Sequence, residues 1–386
     1  MADAGVVVTT VWDDLVGQAP VVEMLKRATA AAHDRLSGGS GKGMTHAWLF
    51  TGPPGSGRSN AARAFAAALQ ADVGDDTVPQ ALHPDVTLVA TDLLSLGVDE
   101  IRDLVRKASL SPSQGKWQVL IIEDADRLTD KAADALLKTL EEPPPRTVWM
   151  LCAPTAEDVI VTIRSRSRQV VLRTPPANEV AAMLVARHGI SEALADSAAR
   201  ASQGHIGRAR ALALKEDVRA RRSQILALPT TLRTLGDCLA AAAALDATAK
   251  ANATNVGDDL DGDELAKLRE GWGVQERGKR PPGYAGALSA LEKDQKRRRT
   301  RIAHDSIDGV LIELISFYRD VLAMQTAPTA ELINVDVEAS IRELAESGTP
   351  ESTLRRIDAI AACREAILAN AASLLALEHM MIGLRV

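Results

Sequence analysis

The residues with the clearest chemical potential form a glycine-rich string, GPPGSGRS, at positions 52–59. It follows the apolar string HAWLFT and precedes a helix-forming segment that starts near Asn60. Glycines at this spacing let backbone N–H groups surround phosphate oxygens, and the following helix directs the positive end of its dipole at them. The string predicts a P-loop, with a bare glycine-rich turn as the alternative. Its residues are Gly52, Pro53, Pro54, Gly55, Ser56, Gly57, Arg58 and Ser59.

Position 58 is arginine where a P-loop has lysine. A guanidinium is a wide planar fork, whereas an ammonium is a compact point charge, so the two are not interchangeable against phosphate. Ser59 keeps the hydroxyl that would contact magnesium. The loop is therefore compatible with weak binding of ATP or ADP, but efficient phosphoryl transfer is not expected, and we predict that no nucleotide cofactor is required.

A second set of acids ends the apolar string WQVLII, where Glu123 and Asp124 follow directly. AAA+ ATPases usually place Asp first, for the metal, and Glu second, to activate water. Here the order is reversed, which changes the reach of each carboxylate by one methylene, and an error of about 1 Å can cost roughly a hundredfold in rate. The pair is predicted to be a degenerate Walker B site. A strand end with solvated acids is an equally good interpretation.

Three arginines occur in TIRSRSR at positions 162–168, and we single out Arg166. An arginine that reaches across a subunit boundary can stabilise charge on a transferring phosphoryl group. Judged by the residues alone, a solvated or ion-paired surface cluster is the alternative interpretation.

The elements that must position these residues alternate in type over the first 175 residues. Short apolar runs separated by helical segments are typical of parallel strands with crossover helices, so this part predicts an α/β domain. One helix is expected near 60–70, and another over 129–142, where three prolines stop it. The predicted strands are 47–51, 86–89, 117–122, 148–152 and 169–172.

The remaining chain predicts helices only. Residues 177–214 resemble a small helical unit, and helices are expected from 215 to the end, except over 258–284. That stretch combines the acidic string DDLDGDE with RGKRPPGY, and we expect a mobile insertion with a solvated acidic loop rather than a calcium site. The basic run at 293–301 could contact DNA or an acidic partner, or form a solvated helix face.

Composition narrows the class of protein. The chain has 386 residues, of which 46% are hydrophobic and 25% charged, enough for two or three domains. It lacks a membrane-length apolar run and a signal peptide, so a cytoplasmic protein without membrane contact is expected. The net charge of −6 argues against coating nucleic acid. The three cysteines, Cys152, Cys238 and Cys363, lack zinc or disulfide spacing, and no metal site is expected.

Several separated motifs together resemble the clamp-loader AAA+ subunits of bacterial DNA polymerase III, in particular the actinobacterial delta prime type. The strings are WDDLVGQ at 12–18, MTHAWLFTGPPGSGRS, and IIEDADRLTDKAADALLKTLEEPPP. SRS at 165–167 takes the place of the family's Ser-Arg-Cys signature, with Ser167 in place of cysteine. The resemblance covers the first 215 residues well and the C-terminal region more weakly.

The resemblance implies an α/β RecA-like AAA+ domain (1–175), a small helical lid (176–214) and an all-α collar (215–386) with a flexible insertion at about 250–290. It implies that Arg166 is an arginine finger offered in trans. The implied partners are the delta and gamma/tau subunits in a hetero-pentamer, the sliding clamp indirectly, and primed DNA. The implied location is the nucleoid-associated replisome.

Other positions depart from the family. The segment 71–84 contains no cysteine, so the four-cysteine zinc module of many relatives has no ligands. Ala153 and Pro154 stand where a polar sensor residue is expected, and Arg208 sits one place late in GHIGRAR. We therefore predict a non-motor clamp-loader subunit. The alternatives are an active AAA+ ATPase, of the gamma/tau motor type or a branch-migration enzyme, and a different P-loop enzyme such as a kinase.

Overall fold

The structure is a computed structural model that describes residues 10–75, 83–90, 95–271, 281, 284–327 and 329–385. The chain divides into two compact units, Met1–Leu214 and Lys215–Val386, and each is described by itself. The further division of the first unit into an α/β domain ending at 175 and a lid stays a prediction. Among the described residues, no helix is both long and apolar enough to cross a membrane.

The first unit contains a five-stranded parallel sheet with the strand order β2-β3-β4-β1-β5. All five predicted strands are confirmed, and their ends differ by at most one residue from the predicted ones. β1, β3 and β4 are buried along their whole length because helices cover both faces of the sheet. The strands are β1 Ala47–Thr51, β2 Val86–Val89, β3 Gln118–Ile122, β4 Thr147–Ala153 and β5 Arg168–Val171.

Eight helices accompany the sheet within the described part of this unit. Both helices that the sequence predicted are present, and Thr129 caps the second one by accepting a hydrogen bond from the Ala132 N–H. They are α1 Ala19–Leu36, α2 Arg58–Gln70, α3 Val98–Ala108, α4 Asp130–Glu141, α5 Val161–Arg164, α6 Ala177–His188, α7 Glu192–Ser202 and α8 Ile206–Leu214.

Alternation along β1 distributes side chains to the two faces of the sheet. Trp48 and Phe50 join the core under α1 and α2, where the rings of Trp48 and Phe65 meet edge to face at 5.0 Å between centroids. Leu49 joins the opposite core, under α3 and α4, with Leu136. The sheet is thus held from both sides, and the loops after its strands carry the candidate site.

The second unit contains helices and no strand among its described residues. Its core includes Phe317, Tyr318 and Met380, all fully buried. Arg222 is also buried and donates to Glu313 at 3.1 Å, which fixes the first helix against the third. The helices are α9 Glu216–Thr231, α10 Leu235–Gly271, α11 Tyr284–Thr326, α12 Glu338–Ser347, α13 Pro350–Leu368 and α14 Ser373–Leu384.

The acidic string does not form the loop that the sequence predicted. α10 continues through it, so the expectation for 258–284 is wrong over residues 258–271. The acids are paired rather than solvated: Arg298 of α11 lies 2.5 Å from Asp261 and 2.6 Å from Glu264. Arg299 lies 2.8 Å from Asp258. Residues 272–280 and 282–283 lie outside the described part.

This arrangement also bears on the basic run at 293–301. Arg298 and Arg299 are engaged by the acids of α10, so these two arginines serve the α10–α11 hairpin. Lys293, Lys296 and Arg297 remain on the exposed face.

Candidate functional site

The P-loop connects the end of β1 to the start of α2, at the carboxyl edge of the sheet. Gly55 and Gly57 have φ angles of +81° and +94°, a left-handed conformation that other residues adopt only with strain. Gly57 is also the residue that precedes α2, so the free N–H groups of the first helical turn face the loop. The backbone therefore has the form that a phosphate group requires.

Arg58 turns back toward the loop in which it stands. Its Nη1 donates a hydrogen bond of 2.9 Å to the Gly52 carbonyl oxygen. In a P-loop the lysine at this position reaches the β- and γ-phosphates. The guanidinium is instead attached to the backbone of the loop.

Two serines of the loop place hydroxyl groups at the candidate phosphate site. Ser56 is 1% exposed, and its Oγ has no hydrogen-bond partner. A buried hydroxyl without a partner is costly unless a ligand or water supplies one. Ser59 is the second residue of α2. This half of the site fits a bound phosphate.

The two acids that follow β3 form ion pairs with arginines of the same chain. Glu123, 16% exposed, accepts a hydrogen bond of 2.7 Å from Arg63 Nη2, and Asp124 lies 3.8 Å from Arg127. Desolvation, with the nearby Asp124 carboxylate, raises the pKa of Asp126 above its usual value. A metal ion would have to displace Arg63 from Glu123. This half does not fit magnesium-dependent hydrolysis of a nucleotide.

Sequence reasoning did not single out Arg63. It lies four residues after Ser59 on α2, and thus one helical turn beyond the P-loop, whereas its partner Glu123 follows β3. The sequence feature that could have indicated this residue is a basic side chain four positions after the last P-loop residue. Only the neighbouring positions of α2 and β3 in space reveal the pair.

A residue between α7 and α8 covers the loop from the other side. The imidazole of His205 lies against Gly55, so that a Cβ at position 55 would overlap the ring. The Ile206 N–H donates to the Gly55 carbonyl at 3.4 Å, and the Arg208 N–H donates to His205 Nδ1 at 3.2 Å. Desolvation, together with the Arg208 charge, lowers the pKa of His205, so the ring is neutral at pH 7. Arg208 supports this histidine through its backbone.

Ala153 and Pro154 stand where a polar sensor residue was expected, and Pro154 contacts the P-loop through its backbone. Ala153 is the last residue of β4 and is fully buried. The next residue, Pro154, accepts a hydrogen bond of 3.0 Å from the Gly52 N–H. The end of β4 thus fixes the start of the P-loop.

Arg166 lies after α5, between β4 and β5, and its side chain is 38% exposed. Its Nη2 lies 2.6 Å from Glu141 Oε1, and its Nη1 donates to the Thr162 carbonyl at 3.0 Å. Ile160 and Val161, just before it in the chain, are apolar yet 38% and 64% exposed. An arginine beside exposed apolar side chains is typical of a protein interface.

The two neighbouring arginines have other contacts. Arg164 lies 3.4 Å from Glu157. Arg168 donates to the Gly43 carbonyl at 2.8 Å and stacks over Trp48 at 5.1 Å from the ring centroid. Arg168 therefore stabilises the start of β5, while Arg164 is a surface ion pair.

The three cysteines lie among the described residues and are not part of a metal-binding cluster there. Cys152, Cys238 and Cys363 are buried free thiols, and burial raises the pKa of Cys152 to about 12 and that of Cys363 to about 11. Such thiols are inert. Within the described ranges, no cluster of His, Cys, Asp or Glu is arranged to hold a metal ion. Part of the cysteine-free segment, residues 76–82, lies outside them.

Residues 37–176 match the protein-family model described as DNA polymerase III, delta subunit. The delta' subunit of DNA polymerase III from Escherichia coli is 36% identical over 166 residues, 42% of this chain and 49% of that protein. The gamma/tau subunit from Mycobacterium tuberculosis is 33% identical over 153 residues, 36% of this chain and 26% of that protein. The chain thus spans between a quarter and a half of these relatives.

Solved structures give weaker likenesses. A gamma subunit-related protein of DNA polymerase III from Thermotoga maritima is 18% identical, with 88% of this chain and 93% of that chain covered and a TM-score of 0.39. The RuvB Holliday junction branch migration motor of Thermotoga maritima is 19% identical, with 57% and 66% covered and a TM-score of 0.40. The fold assignment is based on the strand order described above rather than on these scores.

The matched region contains the P-loop, the acids after β3 and Arg166. The delta' and the gamma/tau subunits are both similar to this chain, and the resemblance to clamp-loader subunits that was inferred from the motifs is confirmed. Over residues 37–176 the chain is similar to clamp-loader subunits of DNA polymerase III, and it combines a RecA-like α/β fold with a mostly helical C-terminal region.

Proposed function

We propose that this chain is a delta prime-type subunit of a clamp loader, which does not hydrolyse ATP itself but offers Arg166 to the ATP site of a neighbouring subunit. The observation that carries the proposal is a contrast between two arginines. Arg63 is paired with Glu123 at the Walker B position. Arg166 lies outside the P-loop site, in a segment that exposes the apolar Ile160 and Val161. One arginine neutralises the chain's own site, and the other is held by a surface ion pair that a partner can replace.

The chemistry of the P-loop region supports the non-motor half of this proposal. Hydrolysis needs a cation on the γ-phosphate, a metal ligand and a base, all placed to within about 1 Å. Arg58 is bonded to the Gly52 carbonyl and Glu123 to Arg63, so two of these groups are already engaged. Weak binding of ATP or ADP is still part of the proposal, because the backbone cradle and Ser56 fit a phosphate.

The position of Arg166 supports the second half. A guanidinium placed against a transferring phosphoryl group stabilises the charge of its transition state, and one such residue contributes on the order of a thousandfold or more. Arg166 is the arginine of the string SRS, which takes the place of the family's Ser-Arg-Cys signature, and its side chain is 38% exposed. It is therefore the residue that we assign to this role.

The collar is proposed to join neighbouring subunits. Leu354, Leu368 and Leu375 lie on helices of the second unit and are 47%, 75% and 66% exposed. Apolar side chains on one helical unit fit a surface that is covered in an assembly. The proposed partners are the delta and gamma/tau subunits in a hetero-pentamer, which acts on the sliding clamp and primed DNA. The proposed location is the replisome in the cytoplasm.

A gamma/tau-type ATPase is the second candidate. It is favoured by the 33% identity to gamma/tau subunits over 153 residues. Such a motor would hydrolyse ATP as an isolated protein. Turnover measured on the isolated chain therefore separates the two candidates.

The proposed function is tested by Arg166→Ala in a loader reconstituted from full-length subunits, assayed with clamp and primed DNA. We expect normal assembly and folding, with hydrolysis at the neighbour's site lowered on the order of a thousandfold. Arg164→Ala is the matched control and should leave turnover unchanged. Equal activity of Arg166→Ala and wild type would remove the finger role, while a matching loss of thermal stability would make the residue structural.

A further inference from the structure

The guanidinium of Arg166 is engaged in the isolated chain. Its Nη2 lies 2.6 Å from Glu141 Oε1, and its Nη1 donates to the Thr162 carbonyl at 3.0 Å and to Ser165 Oγ at 3.4 Å. Both terminal nitrogens therefore have acceptors. An arginine finger needs these same nitrogens for phosphate oxygens.

Glu141 is an unfavourable residue for the helix that carries it. It is the last residue of α4, where the backbone carbonyls already create a partial negative charge. A carboxylate at that end destabilises a helix, whereas a cation would stabilise it. Helix stability thus gives no reason for a glutamate here, but the contact with Arg166 does.

We propose that Glu141 is a latch for the finger: its carboxylate competes with the phosphate of the neighbour's nucleotide for the guanidinium of Arg166. The two anions accept from the same nitrogen and cannot both be bound in the geometry seen here. The finger engages when phosphate replaces the carboxylate. This inference rests on the proposed function, because it requires Arg166 to act at a neighbouring site.

The strength of the latch follows from its exposure. The side chains of Arg166 and Glu141 are 38% and 49% exposed, so water screens the pair. Pairs of this kind shift an equilibrium by about two- to fivefold, and salt weakens them. A latch of this size delays engagement without preventing it, since a nucleotide phosphate carries more charge than one carboxylate.

The experiment uses the reconstituted full-length loader and measures kcat/KM for ATP. Glu141→Gln keeps the size of the side chain and removes its charge. We expect it to raise kcat/KM by about two- to fivefold at an ionic strength of about 0.05 M, with the gain lost near 0.5 M. Glu142→Gln is the matched control, because Glu142 adjoins it at the same end of α4 and is also exposed, and no change is expected.

A double-mutant cycle distinguishes the latch from a structural role. In an Arg166→Ala background, Glu141→Gln should change kcat/KM no further, and its melting temperature should be at least that of wild type. The latch is overturned if Glu141→Gln leaves kcat/KM unchanged or lowers it, or if its effect persists without Arg166. The proposed function still stands in that case, provided that Arg166→Ala lowers turnover. If Arg166→Ala has no effect, both fail.

Discussion

The Arg63 guanidinium of α2 lies 2.7 Å from the Glu123 carboxylate at the end of β3. Glu123 is the more buried partner, at 16% exposure against 47% for Arg63. A metal ion that bound Glu123 would have to displace the Arg63 guanidinium and its charge-assisted hydrogen bond. The first acid of the predicted Walker B site is therefore already paired within the chain.

This pairing leads to the expectation that the isolated protein hydrolyses ATP no faster than background. Ser59→Ala removes the hydroxyl that would contact magnesium, so its turnover should equal that of wild type. Steady-state phosphate release from the purified chain provides the measurement. A clear turnover in wild type that disappears in Ser59→Ala would contradict the non-motor proposal and favour the gamma/tau type.

The purified protein should contain no stoichiometric zinc. The cysteine-free segment 71–84 offers no thiolate, and Cys152, Cys238 and Cys363 are too far apart in sequence and too buried to form a structural site. Elemental analysis of protein prepared without chelator checks this. One zinc ion per chain would be incompatible with the prediction.

Removal of the collar should abolish assembly. A chain that ends at Lys215 keeps the first compact unit, and its parallel sheet should still fold and melt cooperatively. It lacks the exposed apolar side chains of α13 and α14, among them Leu368 and Leu375. Co-purification with the other loader subunits is the measurement, with the full chain as control. Normal incorporation of the shortened chain would mean that the first unit alone forms the interface.

The stability of the first unit should depend on pH through Asp85. Burial alone would raise the pKa of this carboxyl, but its four hydrogen bonds from Ser113, Gln114 and Gly115 outweigh it and hold the pKa well below its usual range. Because the folded pKa is the lower one, the carboxylate stabilises the fold above about pH 4 and this contribution is lost as the pH falls through the folded value.

Asp85→Asn should therefore lower the free energy of unfolding near neutral pH and flatten its decrease below about pH 4. Denaturant unfolding at a series of pH values measures both effects. The exposed Asp99, on α3, is a suitable control for substitution by Asn. If the free energy of unfolding fell equally with pH below about pH 4 in wild type and in Asp85→Asn, a group other than Asp85 would account for the loss of stability in acid.

Arg298→Ala should destabilise the α10–α11 hairpin. Arg298 is only 11% exposed and donates to both Asp261 and Glu264, so its removal leaves Glu264 without its arginine and Asp261 with Arg299 alone. We expect a loss of about 1–3 kcal/mol and faster amide hydrogen exchange over 258–271. Arg297→Ala is the control: that side chain is 49% exposed and 3.7 Å from Asp294, and should contribute less than about 1 kcal/mol. Similar exchange in both variants would show that the pairs are not needed for the helix.

Much of the first unit could be predicted because its signals are local. Each strand is a short apolar run. The P-loop glycines stand between a strand and a helix, so adjacent residues were enough to place Arg58 at the end of the loop. The acidic part of α10 was missed for the opposite reason. Gly257, Gly262 and a run of acids are typical of a loop, and their partners lie on another helix.

The same limit applies to the candidate site. Arg63 with Glu123 and Glu141 with Arg166 are pairs formed by the way the sheet brings distant segments together. Composition and spacing identify the type of each residue but not its partner. Such pairs are needed to infer whether a candidate arginine acts within its own chain or at a neighbouring subunit.

The contact of His205 with Gly55 has a consequence for how such sequences are recognised. The His205 ring fills the space above this glycine, and a Cβ at Gly52 would come within 2.7 Å of the Leu172 carbonyl oxygen. Both glycines are thus required by packing within the protein, whether or not a nucleotide binds. Selection for folding alone would preserve them even in a chain that does not hydrolyse ATP. A P-loop signature can therefore persist for reasons of packing, and the pattern by itself does not identify an ATPase.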